Sequence, residues 1–569
     1  MKKLAVIAFA VSSMASAQIR INQVGFTPEG EKTATIESVE TAQPVKVQVT
    51  DKLSGKKVWK GKAQRVATSS ISGKVRQVVD FSKVQKEGKY QLVAGDQKID
   101  FLVAASPLKE LSKAALKAFY LQRTAMPIEE KYAGCWTRPA GHMDTEVLIH
   151  PSAATAERPA GTVISSSKGW YDAGDYNKYI VNSGFSVGVM LEAYEQHKDY
   201  FKQLNVGIPE SDNDVPDLLD EVYYNLQWMQ TMQDTDGGLY HKLTTPNFEG
   251  FVAPTECHQP RYVVMKTTAA SLDFAASMAM AARLYKDYEK NFPGFPAKAL
   301  EQAEKAYAWA KENPNTPYNQ GKMNATFDPD VNTGAYDDTH FEDEFFWAAT
   351  ELYVTTGQDK YRIDALATMP QHLTPATWGN VGELGVLTWA LLQTNSVSDN
   401  KISSNMKSLL LNHLQPYLTQ VSTSCFQSPY GNEAKDFFWG CNSEGCAWRG
   451  IELMYATKLT GDKQYEMAAQ ECLNYLLGQN ATGYCYVTGF GQKPAIHPHH
   501  RLAATSCGAL PGFLVGGPNP GQQDKTDQLH YTSNYADESY MDDQNSYASN
   551  EIAINWNATL VALTALLDK

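Results

Sequence analysis

The sequence predicts a mainly α-helical protein built in concentric layers and preceded by a small β-sandwich, on three observations. Residues 18 to about 104 alternate apolar and polar side chains between polar turns, the period of half-buried strands. Beyond Pro107, apolar residues recur at spacings of three and four, the period of helices. In the last helical segment Ile552, Trp556, Leu560, Leu563 and Leu567 form one stripe, while Ile554, Ala558, Val561 and Ala565 make the opposite side apolar too. A helix apolar nearly all round must be covered on both sides, which a simple bundle does not provide.

Taken in order, the first element is a leader. Lys2 and Lys3 precede the apolar run Leu4 to Val11, and Ala15-Ser16-Ala17 supplies a small-residue cleavage site before Gln18. Residues 1–17 are therefore expected to be removed on export, leaving a secreted or periplasmic protein. Residues 18–104 follow as the β-sandwich. Val45, Val47 and Val49 alternate, and Leu53-Ser54-Gly55 turns the chain before Val58 and Trp59. Tyr90 and Leu92 alternate, Gly95-Asp96 turns again, and Ile99, Phe101 and Val103 complete the pattern. Residues 105–569 form the helical domain, with helices expected around 108–124, 184–198, 215–232, 268–286, 298–312, 343–356, 384–394, 404–418, 443–458, 463–478 and 551–568. The long links between them carry the Gly, Pro, Asp and aromatic residues from which sites are built.

Composition narrows the function. A formal charge of -13, without a Lys/Arg run or a Gly-rich phosphate loop, argues against nucleic acid as a partner. No stretch after the leader is long and apolar enough to span a bilayer. The 30 Tyr and 11 Trp suit either an aromatic core or a surface that stacks on sugar rings, and the core is the plainer reading. Eight cysteines are too sparse for a disulfide scaffold in a chain of this size; Cys441 and Cys446 are the closest couple along it.

Chemistry concentrates in four segments. In Gly169-Trp170-Tyr171-Asp172-Ala173-Gly174-Asp175 two carboxylates three residues apart can converge on one water, one orienting it and the other taking its proton. Taken alone, the segment reads more readily as an Asp/Gly turn capping the helix that follows. His497-Pro498-His499-His500-Arg501 offers metal, sugar or structural readings; His499 and Arg501 alternate, so in an extended loop they face the same way. In the tail, Tyr540 to Ala558, Ser549 or Asn550 is placed to cap the final helix with Glu551 in its first turn. That position favours an ionised carboxylate, so an acid role needs burial or a neighbour such as Asp542 to outweigh the helix dipole. Asp337, Asp338, Glu342, Asp343 and Glu344 gather hard oxygen ligands near a helix start, suited to calcium or to a solvated acidic face. Asp214, Pro216 and Asp217 read as a helix cap.

Together these motifs resemble glycoside hydrolase family 9, the inverting cellulase family. The likeness covers the mature chain, through Tyr540, Asp542, Tyr547, Glu551, Ala553, Asn557 and Ala558, through Tyr486 to Arg501, and through Asp172-Ala173-Gly174-Asp175. The resemblance implies an (α/α)6 barrel and, for residues 18–104, an immunoglobulin-like module acting as a brace. It implies Asp175 as general base, Asp172 as holder of the attacking water, Glu551 as general acid and Asp542 as its support. His499 and Arg501 are then sugar ligands, with Trp170 and Tyr547 as further substrate contacts. No cofactor is required; a structural calcium at Asp343 and Glu344 is implied by some relatives. The zinc set of others is not carried over, because the comparable stretch offers only Cys135, His142 and His150.

The expected activity is a monomeric endo-β-1,4-glucanase acting by a single displacement, with the two carboxyls about 6.5–9.5 Å apart. Alternatives are cellodextrins with exo action, mixed-linkage glucan or xyloglucan as target, and a non-enzymatic carbohydrate-binding protein. No separate cellulose-binding module is expected after the final helix, which favours soluble or amorphous glucans.

Overall fold

The structure, a computed structural model, describes residues 18–37 and 43–568; the expected leader lies outside them. Eight strands open the chain: β1 (Gln18–Arg20), β2 (Thr33–Glu37), β3 (Lys46–Asp51), β4 (Lys57–Lys62), β5 (Arg65–Thr68), β6 (Val75–Asp80), β7 (Gly88–Ala94) and β8 (Gln97–Val103). They form two antiparallel sheets, in the orders β1-β2-β6-β5 and β4-β3-β7-β8. The alternation seen in the sequence points Val47, Val49, Tyr90, Leu92, Phe101 and Val103 between the sheets, where Phe26 and Phe81 meet Phe101 edge-on. Gly55 and Gly95 adopt positive φ in the β3–β4 and β7–β8 turns, as those tight turns require.

Twelve long helices follow: α1 (Lys109–Gln122), α2 (Ile180–Gln196), α3 (Asp217–Thr231), α4 (Thr268–Leu284), α5 (Phe295–Glu312), α6 (Glu342–Thr356), α7 (Asp359–Ala367), α8 (Gly382–Leu391), α9 (Val397–Thr423), α10 (Trp448–Thr460), α11 (Lys463–Leu476) and α12 (Ile554–Leu567). The even-numbered helices pack in a closed ring, α12 returning to α2, and α2, α4, α8 and α12 are almost wholly buried. The odd-numbered helices lie outside, pairing with inner neighbours: α1 with α12, α5 with α4, α7 with α6, α9 with α8 and α11 with α10. This is the (α/α)6 barrel. Helix α7 was not expected; at nine residues it buries only Tyr361 and Ala365, too few for a periodic signal.

Five short strands line one end of the ring: β9 (Val147–Ile149), β10 (Val163–Ile164), β11 (Lys178–Tyr179), β12 (Lys242–Thr244) and β13 (Tyr262–Val263), in the order β10-β9-β13-β12-β11. Strand β11 fixes the chain just after Asp175.

The sandwich is locked to the barrel by buried polar contacts. The Asn22 amide donates to Asn474 Oδ1 at 2.8 Å, Thr35 Oγ1 to the Cys425 carbonyl at 2.7 Å, and Gln479 Nε2 to Thr33 Oγ1 at 3.0 Å. Arg76, fully buried, reaches Glu37 at 3.0 Å, Glu538 at 3.6 Å and Asp537 at 3.9 Å. Cys441 and Cys446 are not paired; their thiols donate to the Pro518 and Cys472 carbonyls. The disulfide joins Cys135 to Cys507 instead. His142 bonds the Tyr171 hydroxyl, and His150 bonds Ser152 and the Pro329 carbonyl.

Candidate active site

A cleft of about 730 Å³ opens at the β9–β13 end of the ring. Asp172, Asp175, Glu551, His499, Arg501 and Tyr547 all line it, so segments hundreds of residues apart in sequence converge there.

The Asp172–Asp175 loop is built from both ends. Gly169 takes positive φ with the Trp228 ring 2.9 Å from where a side chain would begin. Trp170 is fully buried, its indole N–H donating to Glu221 Oε1 at 2.8 Å, and Glu221 is paired with Arg123. This corrects the expectation for Trp170: it anchors the loop from inside and does not reach the cleft. Asp172 accepts from Asn182 Nδ2 and from the Tyr336 hydroxyl, each at 2.7 Å. Burial and the adjacent Asp175 push its carboxyl up to about 8, against those two donors. Asp175 Oδ2 accepts from the Asn177 side chain and from Tyr179 at 3.3 Å. Among the described residues no hydrogen bond is made to Asp175 Oδ1.

Glu551 is not in the first turn of α12. It lies in extended backbone bridged to His499, and the helix starts at Ile554. Asp172 supplies the carbonyl that accepts from the Ile554 N–H at 2.8 Å, so the helix start faces the other wall of the cleft. The expected conflict with the helix dipole therefore disappears. Burial raises the Glu551 carboxyl well above the usual range, Asp175 and then Asp172 adding to the effect while Arg501 opposes it. Asp542 is not among the largest causes. Its carboxylate instead accepts from the Ile496 and His497 N–H groups and from Asn550 Nδ2, at 2.8–3.1 Å, which ties the histidine loop to the residue before Glu551.

Gly174 is the hinge-pin of the arrangement. Its N–H donates to Glu551 Oε1 at 3.3 Å and its carbonyl accepts from Arg501 Nη1 at 2.8 Å. A side chain there would begin 2.2 Å from the His499 carbonyl oxygen. His499 donates through Nδ1 to the Gln544 carbonyl at 2.7 Å, and burial pushes its pKa down to about 4. The imidazole is therefore neutral and presents Nε2. His500 points the other way, to Gln122, so the three histidines do not converge. Arg501 lies over the rings of Phe248 and Phe251.

Several cleft residues carry no sequence signal of their own. Tyr336 lies in the acidic segment and stacks edge-on against Trp378, 5.0 Å between centroids. Trp439 pairs with Tyr547 at 5.4 Å and, with Phe248, is exposed along the cleft. Asp343 and Glu344 do not line the cleft. They lie at the start of α6, facing Asp273 of α4 and Asp338. Both oxygens of Asp273 and Glu344, and Oδ2 of Asp338, are buried without hydrogen-bond partners, while Asp343 Oδ2 accepts from the Val381 N–H at 2.7 Å. No three His, Cys, Asp or Glu side chains among the described residues form a ready ligand cage.

An aromatic-walled cleft in which one carboxyl is held protonated opposite a pair of aspartates is the apparatus of glycoside hydrolysis. The protein is a glycoside hydrolase. It belongs to family 9, since the family model Glycosyl hydrolase family 9 matches residues 109–564 and the Cellulase N-terminal ig-like domain matches residues 14–98. Among curated relatives, the Xyloglucan-specific endo-beta-1,4-glucanase BoGH9A of Bacteroides ovatus is 52% identical over 556 residues, 97% of this chain and 93% of that one. Endoglucanase D of Acetivibrio thermocellus is 32% identical over 96% of this chain and 82% of that one. Among solved structures, Bacteroides ovatus GH9 superposes with a TM-score of 0.92 at 51% identity, covering 97% of this chain and 98% of that one. AaCel9A in complex with cellobiose-like isofagomine gives 0.85 at 28% identity, covering 97% and 100%.

Proposed function

We propose that this protein is an exported, monomeric endo-β-1,4-glucanase that cleaves with inversion and takes xyloglucan as its preferred glucan. The observation that carries the mechanism is Glu551, held protonated by burial and by the charge of Asp175 across the cleft. Water held by Asp172 and Asp175 attacks the anomeric carbon. Its proton passes to Asp175 while Glu551 gives its proton to the departing glycosidic oxygen, so the C–O bond breaks as the new one forms. Neutral His499 Nε2 and the Arg501 guanidinium bind sugar hydroxyls, and Trp378, Trp439 and Tyr547 stack on sugar faces. The near full-length likeness to a xyloglucan-specific enzyme supports a branched substrate. The leader pattern supports export, and among the described residues no helix is long and apolar enough to cross a membrane.

No cofactor takes part in this chemistry. A structural calcium would fit the donor type of Asp273, Asp338 and Glu344, whose buried, unpartnered oxygens are suited to a hard cation, with Asp343 beside them. It supplies charge balance away from the cleft and no step of the reaction.

Proton NMR during the first minutes of digestion, run in parallel on xyloglucan and an unbranched soluble β-1,4-glucan, tests the reading. Initial α-anomer in mixed oligomers, released faster from xyloglucan, is expected. Initial β-anomer removes the single-displacement mechanism; equal rates on both polymers remove the preference.

A further inference from the structure

One carboxyl in the cleft has no part in the mechanism above. Glu444 lines the same cavity as Asp172, Asp175 and Glu551, carried by a π-helical turn, Asn442–Ala447, that runs into α10. Such wide turns are rare and concentrate at functional sites. This one is held on both sides. Asn442 Nδ2 donates to the Val515 carbonyl at 2.9 Å, and Ser443 Oγ pairs with Thr559 Oγ1 of α12 at 2.9 Å. The wider turn thereby aims residue 444 at the cleft.

The surroundings of Glu444 differ from those of the catalytic carboxyls. Its one polar side-chain partner is the Trp556 indole, and no cation offsets its burial, which pushes its carboxyl up to about 8. No other carboxylate contributes to that shift, whereas Asp172 and Glu551 both feel Asp175. Glu444 is thus electrostatically apart from the proton-transfer centre. At neutral pH it is an uncharged acid, able both to donate and to accept, which matches a sugar hydroxyl. Beside Trp556, Asn555 also lines the cleft, and its Oδ1 is buried with no partner. An unpaired acceptor and an unused acid on one apolar wall are groups whose partner is a ligand.

We propose that Glu444 is a substrate-binding residue, its carboxyl hydrogen-bonding a hydroxyl of the glucan chain that lies against Trp556, with Asn555 Oδ1 accepting from the same chain. It binds and orients the sugar and transfers no proton to the reaction. This rests on the reading of the cleft as a β-1,4-glucan hydrolase.

The test compares Glu444→Leu and Glu444→Gln with the wild type on whichever soluble β-1,4-glucan the wild type cleaves, with kcat and KM separated across pH 5–9. Calorimetry adds oligosaccharide affinity, using each substitution in a Glu551→Gln background. Glu444→Leu is expected to lose about tenfold or more in kcat/KM and in affinity, because a sugar hydroxyl loses its partner. Glu444→Gln, which keeps a donor and an acceptor, is expected to recover most of the loss and to remove the weakening of binding above about pH 8. Wild-type affinity and kcat/KM in a folded Glu444→Leu protein overturn the inference. If that variant does not fold, Glu444→Gln decides: an unchanged alkaline fall in binding overturns it. A wild type that releases nothing from any β-1,4-glucan sinks the functional reading and this inference together. A cleaving wild type with an indifferent Glu444 sinks this inference alone.

Discussion

Glu551, Gly174 and Tyr336 divide the work of the site at the scale of single residues. Glu551→Gln keeps the shape and removes the proton, so turnover on unactivated polysaccharide should fall by about 10²–10⁴ while the circular dichroism spectrum stays unchanged. Retention of most activity would show that the acid lies elsewhere. Gly174→Ala perturbs the same centre through geometry alone, since its new methyl collides with the His499 carbonyl and Glu551 Oε1. A displacement of about 1 Å is worth about 10² in rate, so kcat should drop on that order with KM little changed. Wild-type kcat would mean that the close approach of these segments is not needed. Tyr336 shows how little of this is visible in one dimension. In the sequence it is an aromatic inside an acidic run read as a cation site, yet its hydroxyl is one of the two groups that hold Asp172.

The interface between the sandwich and the barrel governs the next scale, that of elements. Arg76, on β6, is buried against Asp537 and Glu538, just ahead of the segment that carries Asp542 and Glu551. Arg76→Ala leaves the buried Asp537 without its ion-pair partner, while Glu538 keeps Lys74 at 2.5 Å, a loss of about 3 kcal/mol in unfolding free energy. Urea denaturation should show it, together with a fall in activity despite the distance to the cleft; an unchanged midpoint would reduce the sandwich to a passenger. The two-domain plan and eleven of the helices were legible because periodicity reports which face is buried. Helix starts were less so. The run of apolar residues from Ile552 gives no sign that Glu551 stays extended, because its partners, the backbone of His499 and Gly516, are distant in sequence. The π-turn at Asn442–Ala447 was folded into the helix expected over 443–458 for the same reason: its apolar spacing passes for an α-helix. Trp170 was misjudged since an aromatic beside two aspartates looks alike whether it faces sugar or core. Only the Glu221 partner tells them apart.

For the whole molecule, buried acids set the pH dependence. Asp172, Glu192, Glu444 and Glu471 are each pushed up to about 8, chiefly by burial. They are neutral in the fold at low pH, so stability is intact below their ordinary range and drains away as pH rises toward about 8. On the acid side burial acts against Asp144, but Arg261 and Lys178 prevail and hold it low, so protonating it costs stability as pH falls through and below the usual aspartate range. Buried His142, His241, His499 and His500, pushed down to about 3–4, add a loss as pH falls below the usual histidine range. Thermal melts in EDTA should therefore peak near about pH 5–6 and decline by pH 8.5; a maximum above pH 8 contradicts the burial argument. Calcium should raise the melting temperature more at pH 8 than at pH 5, because Asp273 and Glu344 resist ionising without a cation. An equal shift at both pH values, or none, removes the calcium proposal. The closed ring has one more consequence, for time rather than space. Helix α12 seals against α2, and Glu551 arrives only with it, so the acid and the pair at Asp172 and Asp175 belong to opposite ends of the synthesis of the barrel. Until its final turns emerge, a growing chain holds the water-activating half of the machinery without the half that breaks the bond. The barrel has no complete acid–base pair until Glu551 is in place.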